Sequence, residues 1–78
     1  MIQHQPENNR FICEQNGHQC VLDYRVEGND IDFTHTYVPT ELRGQGLAEK
    51  IVREGLAWAK QQNYSLNASC SYVAKFLK

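Results

Sequence analysis

No apolar run in the 78-residue chain approaches the roughly 18 residues that a membrane span requires, and the opening MIQHQPENNR lacks the charged-then-apolar order of a secretory signal. A cytoplasmic protein that does not enter a membrane is therefore expected. A surplus of positive charge is also missing: eight Lys and Arg against nine Asp and Glu leave a formal charge of −1, so nucleic-acid binding is not expected. The three cysteines, Cys13, Cys20 and Cys70, contain no C-x-x-C pair and are odd in number, which fits neither a disulfide framework nor a four-ligand zinc site. Cys13, His18 and Cys20 together offer only three candidate ligands, so no metal is expected and the cysteines read as thiols. Length is short as well. It excludes a two-domain enzyme with a separate cofactor lobe and leaves one small core.

What remains is ample for a fold, since 41% of the residues are hydrophobic. Residues 1–9 are polar, without periodicity, and read as a flexible N-terminal segment ahead of a domain over 10–78. Phe11–Glu14 and Gln19–Val26 flank Asn16-Gly17, the dipeptide suited to a two-residue hairpin turn, which sets Cys13 opposite Cys20 and Phe11 opposite Leu22. Leu22, Tyr24 and Val26 then share one face. A third strand, Ile31–Val38, follows the Glu27–Asp30 turn, and the period of two puts Ile31, Phe33, His35 and Tyr37 together, unless a bulge at the strand end reverses the later positions.

Pro39 ends that strand, Thr40–Gly46 forms a loop, and the period then changes. Leu47, Ala48, Ile51, Val52, Gly55, Leu56, Trp58 and Ala59 make an apolar stripe opposed by charged residues, the pattern of an amphipathic helix of about four turns. A fourth strand is expected over Tyr64–Ser69 and a short helix over Tyr72–Leu77. The third strand, the long helix and the fourth strand form a β-α-β unit with parallel strands. The predicted fold is a single α/β domain with a mixed four-stranded sheet and a short C-terminal helix.

The chemistry concentrates in Arg43-Gly44-Gln45-Gly46-Leu47-Ala48, between a strand end and a helix start. Glycines let the main chain approach a ligand, the unpaired N–H groups of a first helical turn favour an anion, and Arg43 adds positive charge. By itself the hexapeptide also suits a tight turn with no ligand. Neither the G-x-x-x-x-G-K-[ST] nor the G-x-G-x-x-G spacing is present.

The run from His35 to Leu77, HTYVPTELRGQGLAEKIVREGLAWAKQQNYSLNASCSYVAKFL, resembles the GNAT N-acetyltransferase superfamily, and within it the very small single-domain acetyltransferases. Gly44 and Gly46 match its diphosphate loop, and Glu41 stands where Gln or Arg is usual. His35-Thr36-Tyr37-Val38-Pro39 before the loop and Ser69-Cys70-Ser71-Tyr72-Val73 after the fourth strand resemble the small branch in particular. The resemblance implies a minimal GNAT-like fold in which Arg43, Gly44, Gln45, Gly46, Leu47 and Ala48 hold the diphosphate of acetyl-CoA. It places the pantetheine arm between the splayed third and fourth strands, with main-chain groups near Tyr37 and Val38 at the thioester.

It further implies transfer of an acetyl group from acetyl-CoA to an amine, either a protein lysine or a small molecule. Cys70, after the fourth strand, is the candidate to accept the acetyl group or protonate the departing thiolate, the alternative being a buried small hydrophobe. His35 is a candidate base by residue type, the alternative being a core-facing imidazole. Tyr72 is a second candidate proton donor, or simply a packed ring. A rival function of another class is a non-catalytic module that binds acetyl-CoA or docks to a partner, and a third is a phosphate-binding fold unrelated to coenzyme A.

Overall fold

Alternating apolar residues joined by tight turns build one sheet from β1 (Ile2–Gln5), β2 (Arg10–Gln15), β3 (His18–Glu27), β4 (Asp30–Tyr37) and β5 (Ser65–Ala68). This computed structural model describes residues 2–77; Met1 of the predicted N-terminal segment and Lys78 of the predicted domain lie outside the described residues. The strands lie in sequence order, antiparallel from β1 to β4, and β5 joins β4 in parallel. Between them run α1 (Leu47–Gln61) and, after β5, the single-turn α2 (Ser71–Ala74) followed by a 3-10 turn at Lys75–Leu77. Among the described residues, no helix is long and apolar enough to cross a membrane.

The hairpin forms as its turn dictates. Asn16 and Gly17 take φ of 54° and 79°, and the register sets Cys13 opposite Cys20 and Phe11 opposite Leu22. Leu22, Phe33, Ile51, Val52 and Val73 close into one core between the sheet and the helices. Gly55 lets α1 approach the sheet: a Cβ there would stand 2.7 Å from Leu22 Cδ2 and 3.2 Å from Phe33 Cε1.

The sheet has five strands where four are expected, because part of the segment read as flexible is an edge strand. Ile2 and His4 face the core side of β2, opposite Cys13 and Phe11. His4 stacks on Phe11 at 4.1 Å, meets Trp58 edge-on at 4.4 Å, and its Nε2 is hydrogen-bonded to the Tyr24 hydroxyl at 2.6 Å. An imidazole fills a place that apolar periodicity assigns to a hydrophobe, which is why the pattern hides the strand.

The second departure concerns β4. Its register with β3 shifts at Asp23/Tyr24, so Tyr24 pairs with Phe33 and Asp23 with His35, leaving Thr34 unmatched. One extra residue reverses the parity beyond it. Ile31 and Phe33 are buried, but His35 and Tyr37 are exposed, and Thr36 comes opposite the buried Leu22. His35 and Tyr37 therefore do not share the face of Ile31 and Phe33.

Candidate active site

β4 and β5 pair only from Asp30/Ser65 to Phe33/Ala68, while β4 runs on to Tyr37. β5 has ended by then, so among the described residues β4 from Thr34 onward has no strand partner on that side. The departing chain is pinned at the fork: the Cys70 N–H donates to Phe33 O at 3.0 Å, and Asp32 accepts from the Ser69 N–H at 2.7 Å and the Ser69 hydroxyl at 2.6 Å. Cys70 is the N-cap of α2, in an extended conformation that turns the chain out of the sheet.

The bulge on β4 has a direct consequence here, because Thr36 now reaches Cys70, Oγ1 to Sγ at 3.5 Å. Burial pushes the thiol up, but hydrogen bonds from the Thr36 hydroxyl and from the amides of Val73, Tyr72 and Thr36 outweigh it, and the thiol lies below its ordinary range. Burial acts unopposed on Cys20, whose thiol is raised, with Cys13 adding to the effect. Cys20 and Cys70 therefore differ in kind, and of the two Cys70 is the one tuned toward thiolate.

On the far side of the fork, Leu42 sinks into the core from the 3-10 turn Thr40–Leu42 and anchors the loop that leads to α1. Gly44 and Gly46 have φ of 82° and 73°, and among the described residues nothing beyond each glycine's own chain neighbours lies within 4 Å of where its Cβ would stand, so the main chain is open to a ligand. Gly46 caps α1 without any side-chain hydrogen bond, and the first helical bond runs from the Lys50 N–H to Gly46 O at 3.1 Å. The N–H groups of Leu47, Ala48 and Glu49 have no partner earlier in the helix, the arrangement that attracts an anion. Glycine freedom, open space and an uncapped helix start all fit a diphosphate.

The loop is also held from outside. Arg43 Nε donates to Val38 O at 3.1 Å, tying the loop to the end of β4. Gln15 Nε2, from the hairpin end, donates to Gln45 Oε1 at 2.5 Å, and His18 Nδ1 stands 3.9 Å from Glu41 Oε1.

Of the residues singled out from sequence, the structure gathers Gly44, Gln45, Gly46, Leu47, Ala48 and Arg43 at one loop and helix start, with Tyr37 and Val38 at the strand end beside it. Cys70 stands at the fork. His35 lies on the opposite face of the sheet from the Thr36–Cys70 contact, and the Tyr72 ring packs on Phe76 at 5.3 Å. Thr36 and Asp32 escaped sequence reasoning. A hydroxyl next to a candidate histidine was the available signal for Thr36; Asp32 carried none.

Comparison with known proteins bears on the family and the fold. A family model described as GCN5-related N-acetyl-transferase matches residues 10–78. Protein NATD1 of Bos taurus is 30% identical over 99% of this chain and 71% of its own length. Protein NATD1 of Homo sapiens is 29% identical over 99% and 71%. A GCN5-like protein of Staphylococcus aureus, proposed to be an N-acetyltransferase and solved by NMR in solution, superposes with a TM-score of 0.73 at 31% identity, covering 99% of this chain and 76% of the other.

Proposed function

The chain belongs to the GCN5-related N-acetyltransferase family, and from that premise we propose that it transfers the acetyl group of acetyl-CoA to an amine, either a protein lysine or a small molecule, in the cytoplasm. The observation that carries the reading is the fork between β4 and β5, with a tuned thiol on one side and an open, uncapped helix start on the other. Acetyl-CoA supplies an activated acyl group and a good leaving group. The amides of Gly44 to Ala48 hold its diphosphate, Arg43 lends positive charge, and the unpaired stretch of β4 through Tyr37 and Val38 receives the pantetheine arm as a strand would. Main-chain N–H groups there offset negative charge developing on the thioester oxygen.

In the direct route the neutral amine attacks the carbonyl carbon, the C–S bond breaks, and Cys70 delivers its proton to the departing thiolate. A second route has specific support, because hydrogen bonds aimed at Cys70 Sγ favour its thiolate. There the Cys70 thiolate attacks the thioester carbonyl, the C–S bond to coenzyme A breaks and coenzyme A leaves as its thiolate, and the amine then takes the acetyl group from the sulfur, its proton going to the released thiolate. His35, turned outward by the bulge, is positioned to take the amine proton only when the acceptor arrives at the open sheet face. Tyr72 is the alternative proton donor.

Mixing the protein with acetyl-CoA and a panel of amines, followed by mass spectrometry, tests the proposal. An acetylated amine is expected, and an acetyl group trapped on Cys70 in the absence of amine selects the second route. Tight binding of acetyl-CoA with no transfer to any amine would instead support the non-catalytic module.

A further inference from the structure

Cys13 and Cys20 stand directly opposite one another on β2 and β3, both side chains pointing into the core. Facing residues on antiparallel strands have Cα atoms about 4.5–5.5 Å apart, within the roughly 4.4–6.8 Å that a disulfide spans. Both are free thiols here. They differ in access. Cys20 is fully enclosed, whereas Cys13, itself buried at 3% exposure, has its remaining surface on a groove of about 630 Å³ between the sheet edge and α1, together with Ile2 and Leu47. Lys50, Arg53 and Glu54 border the same groove, and Arg53 Nε donates to Glu49 Oε2 at 2.8 Å, so the charges around it balance.

We propose that Cys13 and Cys20 form a thiol–disulfide site that exchanges with a small disulfide of the glutathione type, entered through this groove. The Cys13 thiolate attacks one sulfur of the incoming disulfide and expels the first thiol. The Cys20 sulfur then attacks Cys13 Sγ and expels the second thiol, its proton passing to the departing thiolate. One disulfide is reduced to two thiols while the pair is oxidised to one cross-strand bond, so atoms and electrons balance. Burial raises the Cys20 thiol, which makes the second step slow at neutral pH and faster as pH rises. Cys70 is not part of this chemistry. The bond would brace the hairpin two residues from Gln15 and His18, the residues that face the Glu41–Gln45 loop.

Tryptic cleavage after Arg10 and Arg25 places both thiols in one peptide, Phe11–Arg25, with Cys70 in another. The intact native chain is incubated with glutathione disulfide, quenched in acid, alkylated after unfolding and digested. The expected product is Phe11–Arg25 unalkylated and lighter by two hydrogens, restored to two alkylated thiols by dithiothreitol and formed faster at pH 9 than at pH 7. Cys20→Ser should instead retain glutathione on Cys13. Recovery of wild-type Phe11–Arg25 with both thiols alkylated, with glutathione held on Cys13, or with the cross-link formed only in urea would overturn the proposal.

Discussion

At the scale of single residues, the proposed chemistry rests on a thiol whose environment is set by its neighbours rather than by its own type. Cys70 has a β4 hydroxyl 3.5 Å from its sulfur and the first amides of α2 beside it, which together draw its thiol down, while Cys13 and Cys20 sit in the apolar core. Iodoacetamide should therefore modify Cys70 of the native protein first, and at lower pH than an ordinary thiol. Thr36→Val removes the side-chain hydrogen bond and should shift that pH profile upward without unfolding the chain; an unmoved profile would mean that the helical amides alone tune the sulfur. Cys70→Ala should leave acetyl-CoA affinity within about twofold and reduce acetyl transfer by about 10²-fold or more, the range of a lost proton-transfer group. Cys70 was legible in the sequence because it follows a strand whose place was clear. Its partner was not, because Thr36 reaches it only through one inserted residue, and strand periodicity cannot register an insertion until both strands are paired.

At the scale of elements, the loop before α1 and the contact of α1 with the sheet make opposite demands on glycine. Gly46 has φ of 73° and open space beside it, so Gly46→Glu costs about 1–2 kcal/mol in backbone strain while putting a carboxylate into the proposed diphosphate site. Calorimetry should show acetyl-CoA binding lost and circular dichroism should show the fold retained. Gly55 is held by contact instead. Gly55→Ala drives a methyl against Leu22 and Phe33 and should destabilise by about 1–3 kcal/mol, less the helix propensity gained, measured by urea unfolding. Both positions were readable as part of the loop and the apolar stripe, since a change of period from two to 3.6 marks the helix start. The β1 strand was not, because its inward positions are one isoleucine and one histidine.

At the scale of the whole molecule, a chain this small has few elements over which to spread its stability, and β1 is fastened largely by His4 among Phe11, Tyr24 and Trp58. Burial lowers the His4 pKa, with the Glu7 carboxylate partly opposing it, so the folded chain holds that proton less tightly than the unfolded one. The unfolded state then binds more protons between the folded pKa and about 6.5, and stability falls as pH drops through that window, levelling below it. His4→Phe should flatten this part of the stability–pH curve. The account as a whole depends on main-chain amides gripping the diphosphate of acetyl-CoA at the start of α1. A titration of ¹⁵N-labelled protein with coenzyme A tests that most directly. Saturable shifts at the amides of Gly44, Gln45, Gly46, Leu47 and Ala48 are expected; shifts elsewhere with these five unmoved would contradict it.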